Sequence, residues 1–145
     1  MKDKNQKEAK NNDRIYLDTF VFMDMLSGQK DVVEKAKVYI SQPAVVSAIV
    51  LTELAFHLLR SGAKERADEI IFYIKSLPNL EIIPVTDEIA ETAGKLRSRY
   101  LNRITKKLTY FDSIHLATAT ITNTIKFVTG DKDFKDIHEI KMEIY

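Results

Sequence analysis

Four short apolar runs, Ile15 to Leu17, Ala44 to Val46, Leu80 to Val85 and Ile125 to Val128, alternate with segments periodic enough to be helices. This alternation constrains the fold more than any other feature of the sequence. A fifth run, Ile140 to Ile144, follows the polar turn Thr129 to Asp133. Short apolar strands alternating with helices of ten or more residues argue for βαβ units. The expected class is therefore α/β, with a mainly parallel sheet covered by helices on both faces. Ligands of such sheets bind beyond the carboxyl ends of the strands.

At 145 residues the chain has room for one sizeable core and too little for two ordinary domains. The expected division is a disordered polar tail over 1–13, lysine-rich and without periodic apolar positions, then a single domain over 14–145. The helical segments follow in order. Thr19 to Leu26 is stopped by Ser27 and Gly28, and Asp31 to Ile40 has mixed helical spacing. Ser47 is the expected N-cap of a strongly apolar helix through Leu59, and Ala63 to Leu77 is amphipathic and closed by Pro78. Thr86 caps a helix that starts with Asp87 and Glu88 and ends with Lys95, Arg97 and Arg99, matching the helix dipole at both ends.

The last helix, Thr109 to about Ile121, is nearly all apolar and opens with a single acid, Asp112. A helix that is hydrophobic all round belongs in the interior, so this carboxylate needs a partner. Thr109 and Asp112 fit a capping box, in which each side chain satisfies the other's backbone amide. Read alone, that pair is structural.

The other acids change its weight. Asp18 follows the first strand, Glu53 lies in the second turn of the helix after the second, and Asp131 and Asp133 follow the fourth. Ile49, Phe56 and His57 are the helical neighbours of Glu53, which therefore reads as a carboxylate on an apolar stripe or as a solvent-facing residue at its edge. If such carboxylates converge, mutual repulsion opposes their ionisation unless a cation lies between them. An all-oxygen site suits a hard ion, Mg²⁺ or Mn²⁺, of the kind that serves phosphate chemistry.

Composition removes competing chemistries. The absence of cysteine excludes disulfides and thiolate metal sites and fits a reducing cytoplasm. His57, His115 and His138 have no zinc spacing. No apolar run reaches the length of a membrane span, and Asp18 and Asp24 interrupt the stretch that would otherwise suggest a signal peptide. A formal net charge of +1 leaves any nucleic-acid surface to local clusters.

IYLDTFVFMDML around Asp18, VVSAIVLTELAF around Glu53, LTYFDSIHLATA around Asp112 and FVTGDKDF around Asp131 together resemble the successive motifs of a PIN domain of the VapC-type toxin ribonucleases. The resemblance runs from Ile15 to the last strand. It implies a three-layer α/β/α sandwich with about five strands and an acidic pocket at one sheet edge. It also implies Mg²⁺- or Mn²⁺-dependent cleavage of RNA by an activated water. On that basis Asp18, Asp112 and Asp131 help ligate metal, and Glu53 ligates through water or orients the nucleophile. Asp133 substitutes for or supports Asp131, and Thr129 and Thr19 line the pocket with hydroxyls. The resemblance further implies a homodimer and a small DNA-binding antitoxin as partner.

Phe20 follows Thr19 where the family often has a small polar residue, which puts one supporting hydrogen bond in question. His115, on the Asp112 helix in apolar surroundings, reads as a core histidine rather than a general base. Arg97, Arg99, Arg103, Lys106 and Lys107 crowd the approach to Asp112, with Tyr100 and Tyr110 as aromatic faces. They read either as RNA contacts or as a helix terminus with a solvated loop. Two rivals share the fold: a PIN nuclease of RNA processing without an antitoxin, and a catalytically silent binding module. An aspartyl phosphotransferase of the haloacid dehalogenase type requires Asp-x-Asp after the first strand, and Asp18, Thr19 and Phe20 do not supply it.

Overall fold

The computed structural model describes residues 13–145, so the tail expected over 1–13 lies, apart from Asp13, outside the described residues. Five strands form one parallel sheet: β1 (Ile15–Leu17), β2 (Ala44–Ser47), β3 (Leu80–Ile83), β4 (Phe127–Thr129) and β5 (Met142–Ile144). The helices are α1 (Thr19–Met25), α2 (Lys30–Ile40), α3 (Ile49–Arg60), α4 (Ala67–Lys75), α5 (Asp87–Tyr100) and α6 (Tyr110–Ile121). The strand order is β3-β2-β1-β4-β5.

The period-two alternation of side chains along a strand divides the interior into two cores. Ile15, Leu17, Ala44, Val46 and Val128 point to one face, where Val21, Phe22, Ala36, Val50, Leu54 and Ile74 of α1 to α4 cover them. Tyr16, Val45 and Phe127 point to the other face and meet Ile89, Ala93, Leu96, Leu116 and Ala117 of α5 and α6. The result is the expected α/β/α sandwich. α6 is buried from Ser113 to Ala119 except for the half-buried Ile114, as an all-round apolar helix requires.

Several boundaries differ from the sequence expectation, each for a local reason. Ser47 does not cap α3. It remains in β2, paired with Ile83 of β3, and its hydroxyl accepts from the Ile49 amide at 3.3 Å. β3 stops at Ile83 because Pro84 follows and has no amide to continue the ladder. The segment expected to be helical over Ala63 to Leu77 begins as a 3₁₀ turn, Lys64–Arg66, and ends before Pro78. β4 begins at Phe127 and β5 at Met142, each two residues later than the apolar runs suggest.

From β1 the chain winds outward through β2 to β3, then returns to the other side of β1 for β4. The switch point thus lies between β1 and β4, and Leu17 pairs there with Val128. The carboxyl ends of these two strands diverge into α1 and into the Gly130 turn, leaving a crevice where an α/β sheet binds its ligands.

Candidate active site

Asp18 and Asp131 come to this crevice by topology, since Asp18 follows β1 directly and Asp131 follows β4 after Gly130. Asp18 is the N-cap of α1 and is nearly buried. One carboxylate oxygen accepts from the Thr19 amide at 2.9 Å and the other from the Thr129 hydroxyl at 2.8 Å. Burial pushes its pKa above the ordinary carboxylate value, against the opposing pull of His115 and Thr129.

Glu53 reaches the same crevice from α3. Its Oε1 accepts from the Thr19 hydroxyl at 2.8 Å and lies 2.7 Å from Nε2 of His115. The apolar stripe expected around Glu53 is incomplete, because Phe56 is 70% exposed and His57 is also exposed. The carboxylate is instead charged for a reason. Partial burial opposes ionisation, but the bonds from His115 and Thr19 outweigh it and hold the pKa below the usual value.

His115 is buried, as expected, but it is not an inert core residue. Nε2 also lies 3.7 Å from Asp18 and 3.3 Å from the Thr19 hydroxyl. Nδ1 lies 2.5 Å from the Tyr16 hydroxyl, which accepts in turn from the Ser47 amide at 3.1 Å. With Tyr16 donating to Nδ1 of the neutral ring, Nε2 carries the proton and donates to Glu53, so every group in the chain is satisfied. Burial disfavours the imidazolium, yet Glu53 and Asp18 together raise its pKa.

Asp112 and Asp131 form a second pair. The Thr109–Asp112 capping box is present in full: Asp112 Oδ2 accepts from the Thr109 amide at 3.0 Å and the Thr109 hydroxyl accepts from the Asp112 amide at 3.1 Å. Asp131 Oδ1 accepts from the Asp133 amide at 2.9 Å, and the Thr129 hydroxyl accepts from the Asp131 amide at 3.0 Å. Asp133 therefore supports Asp131 through its backbone while its side chain faces solvent. Lys106 lies between the two acids, with Nζ 2.9 Å from Asp131 and 3.5 Å from Asp112. Partial burial works against the ammonium, but these carboxylates outweigh it and raise its pKa, and Lys106 holds that of Asp131 down.

The remaining basic residues are dispersed. Arg97 donates to the Leu108 carbonyl at 3.1 Å and stacks over the Tyr110 ring at 4.3 Å, so these two residues occupy each other. Arg99 and the Tyr100 hydroxyl both bind Glu139. Arg103 and Lys107 face solvent.

The donor set fits a hard divalent cation. It consists of carboxylate and hydroxyl oxygens, and Glu53 Oε2 and Asp112 Oδ1 accept from no protein donor among the described residues. Yet among the described residues no three of these side chains converge tightly enough to hold one ion as they stand. The acids form two pairs, each with its own internal cation or imidazole. The family model for the PIN domain matches residues 15–140. The chain belongs to the PIN domain family.

Solved structures agree with the PIN fold. A chain of a toxin–antitoxin complex from Klebsiella pneumoniae is 24% identical, with a TM-score of 0.64 over 87% of this chain and 94% of the other. A chain of DNA-bound VapBC from Salmonella typhimurium is 22% identical, with a TM-score of 0.70 over 90% and 97%. VapC20 of Mycobacterium tuberculosis, described as a sarcin-ricin loop cleaving toxin, is 18% identical, with a TM-score of 0.68 over 88% and 98%. No curated protein matches the chain.

Two residues of this PIN site escaped the sequence reading in part. His115 stands one helical turn from Asp112, so its shared face was legible, but its reach to Glu53 depends on how α3 and α6 cross. Lys106 was grouped with RNA-facing cations because nothing in an irregular basic loop shows which amine turns inward.

Proposed function

We propose that this PIN domain is a metal-dependent endoribonuclease of the VapC type and the toxin of a toxin–antitoxin pair. The observation that supports the reading is the pair Asp18 and Glu53, tied to Thr129 and Thr19 beside the β1/β4 switch point, with Asp131 following β4 and sharing Lys106 with Asp112. The toxin–antitoxin complexes among the structures of similar fold support an antitoxin partner, and a homodimer in a cytoplasmic setting belongs to the same proposal. No helix among the described residues is long and apolar enough to cross a membrane.

Asp18, Asp112 and Asp131 would hold Mg²⁺ or Mn²⁺. Such an ion polarises the phosphoryl oxygens and lowers the pKa of a bound water. The protein's own groups do the rest. Glu53 keeps one oxygen locked by Thr19 and His115 and offers the other to orient an attacking water. Thr129 and the Thr19 amide fix the Asp18 carboxylate so that both oxygens stay in place. Arg103 and Lys107, exposed in the same loop as Lys106, would be among the cations that meet the RNA backbone.

The test is cleavage of total RNA with Mg²⁺ or Mn²⁺, with EDTA, and with Asp112→Asn under matched conditions. Cleavage is expected only in the first. Persistence in EDTA or in the variant would overturn the mechanism, and no cleavage under any condition would favour the silent binding module. Cleavage confined to one precursor RNA, with no inhibitory partner protein, would favour RNA processing.

A further inference from the structure

Lysine amines ordinarily stay in water and bury only their stems. Lys106 does the reverse. Its side chain is 11% exposed, and its ammonium is turned into the acid crevice, 2.9 Å from Asp131 Oδ2 and 3.5 Å from Asp112 Oδ2. The Phe134 ring lies beneath it, 4.5 Å from Nζ to the ring centroid. Phe134 packs in turn on Phe127, and Phe127 on Tyr16, so the amine rests on a row of buried rings fixed to the sheet. An amine serving only to meet RNA phosphates would instead point outward, as exposed Lys107 and Arg103 do.

Asp112 and Asp131 come from a helix start and a strand end that are distant in sequence, and two such carboxylates repel unless a cation lies between them. In this structure that cation is Lys106. We propose that Lys106 is a built-in counter-ion of the Asp112–Asp131 pair, holding the position a divalent cation takes, so that metal loads by exchange against this ammonium. The inference rests on the metal-site reading of the preceding section. It accounts for the failure of three acids to converge as they stand: the outer pair is turned to the lysine and the inner pair to His115. Metal entry then requires that both Lys106 ion pairs break, after which water or a substrate phosphate takes up the ammonium.

The experiment is Mn²⁺ binding by titration calorimetry on the full chain, comparing the unaltered protein with Lys106→Gln and Lys106→Arg. Removing a competing unit charge at contact distance should tighten binding in Lys106→Gln by on the order of tenfold, with Lys106→Arg close to the unaltered protein. Equal or weaker binding in Lys106→Gln, with clear binding in the unaltered protein, overturns the inference and leaves the metal site standing. Absence of Mn²⁺ binding in all three overturns both. A second measurement needs no variant: acetylation of the native protein by an amine-reactive ester, read by mass spectrometry. Lys106 should be protected in EDTA relative to exposed Lys107 and become reactive on adding Mg²⁺. Protection unchanged by saturating Mg²⁺ overturns the exchange.

Discussion

The two carboxylate pairs of the crevice are held in different ways. Asp18 and Glu53 are held by a hydroxyl from α1, another from β4, a backbone amide and a buried imidazole. All of these sit on regular elements whose other faces are in the core. Asp112 and Asp131 are held by a capping box, a turn amide and one lysine from the irregular segment between α5 and α6. The inner pair is therefore built together with the fold, whereas the outer pair depends for its counter-ion on one side chain from irregular backbone. A site divided this way keeps its inner half fixed, and on the proposal above it exchanges the counter-ion of its outer half.

The sharpest way to break this contrast is to neutralise one acid from each pair. Asp18→Asn and Asp131→Asn should each reduce RNA cleavage on the order of a thousandfold, through loss of metal-borne charge stabilisation worth several kcal/mol. Their effects on metal-free stability should have opposite signs. Burial raises the Asp18 pKa, so its charge is unfavourable and the amide should leave stability unchanged or higher. Burial opposes the Asp131 charge but Lys106 outweighs it and lowers the pKa, so removing that charge takes the nearer partner from a largely buried ammonium and should lower stability. Urea unfolding in EDTA measures both, and a shift of the same sign in both would remove the distinction.

His115 tests the inner pair from beneath. His115→Leu removes one hydrogen-bond partner from each of Glu53 and the Tyr16 hydroxyl, which keep Thr19 and the Ser47 amide, a cost of about 1–3 kcal/mol, and should reduce cleavage roughly 10–100-fold, as loss of an orienting neighbour of a metal ligand does. His115→Gln, which can still donate to Glu53, should recover part of the activity. Equal activity in both variants would assign His115 to packing alone.

The same residue sets the next effect, the pH dependence of metal-free stability. The folded pKa of His115 is raised, so its contribution is complete below the unfolded value of about 6.5 and is lost as pH rises through the folded value. The folded pKa values of Glu53 and Asp131 are lowered, so their contributions exist above the unfolded carboxylate range and vanish as pH falls through the folded values. Raised Asp18 acts against these two, losing its contribution as pH rises. Denaturation midpoints should fall on the alkaline side, and His115→Gln should flatten that fall. An unchanged slope would place the titrating group elsewhere.

How much of this was legible in the residues follows the same division. The sheet, its two faces and the order of helices follow from hydrophobic period, whereas the four acids were singled out together by the resemblance to successive PIN motifs, with only Asp18, Asp112 and Asp131 near element boundaries. The capping box at Thr109 and Asp112 was legible because it closes within one turn. What could not be read depends on packing between distant elements. The His115–Glu53 bond needs α3 and α6 to cross at one height, Arg97 and Tyr110 spend their stacking on each other, and Lys106 turns inward from a loop without periodicity. Ser47 misled because a residue suited to capping also suits the last rung of a strand when its neighbour, Ile83, completes the ladder.

The smallest expected effect concerns the junction between the pairs. Gly130 separates Thr129, which serves Asp18, from Asp131, which serves Lys106. A Cβ at this position would meet the Phe20 ring at 2.5 and 2.6 Å, so the bulky residue after Thr19 and this glycine require each other. Phe20 is 43% exposed and can swing toward water, so Gly130→Ala should cost only about 1 kcal/mol, the low end for overpacking. In a Phe20→Ala background the cost should vanish, which a double-mutant cycle of unfolding free energies would read directly. If the turn is the stiff link between rigid and exchangeable halves, Gly130→Ala should also weaken Mn²⁺ binding, and Phe20→Ala should restore it. A stability cost that persists without the Phe20 ring would place the strain in the backbone instead, and the two pairs would then be joined by the turn itself rather than by the ring packed on it.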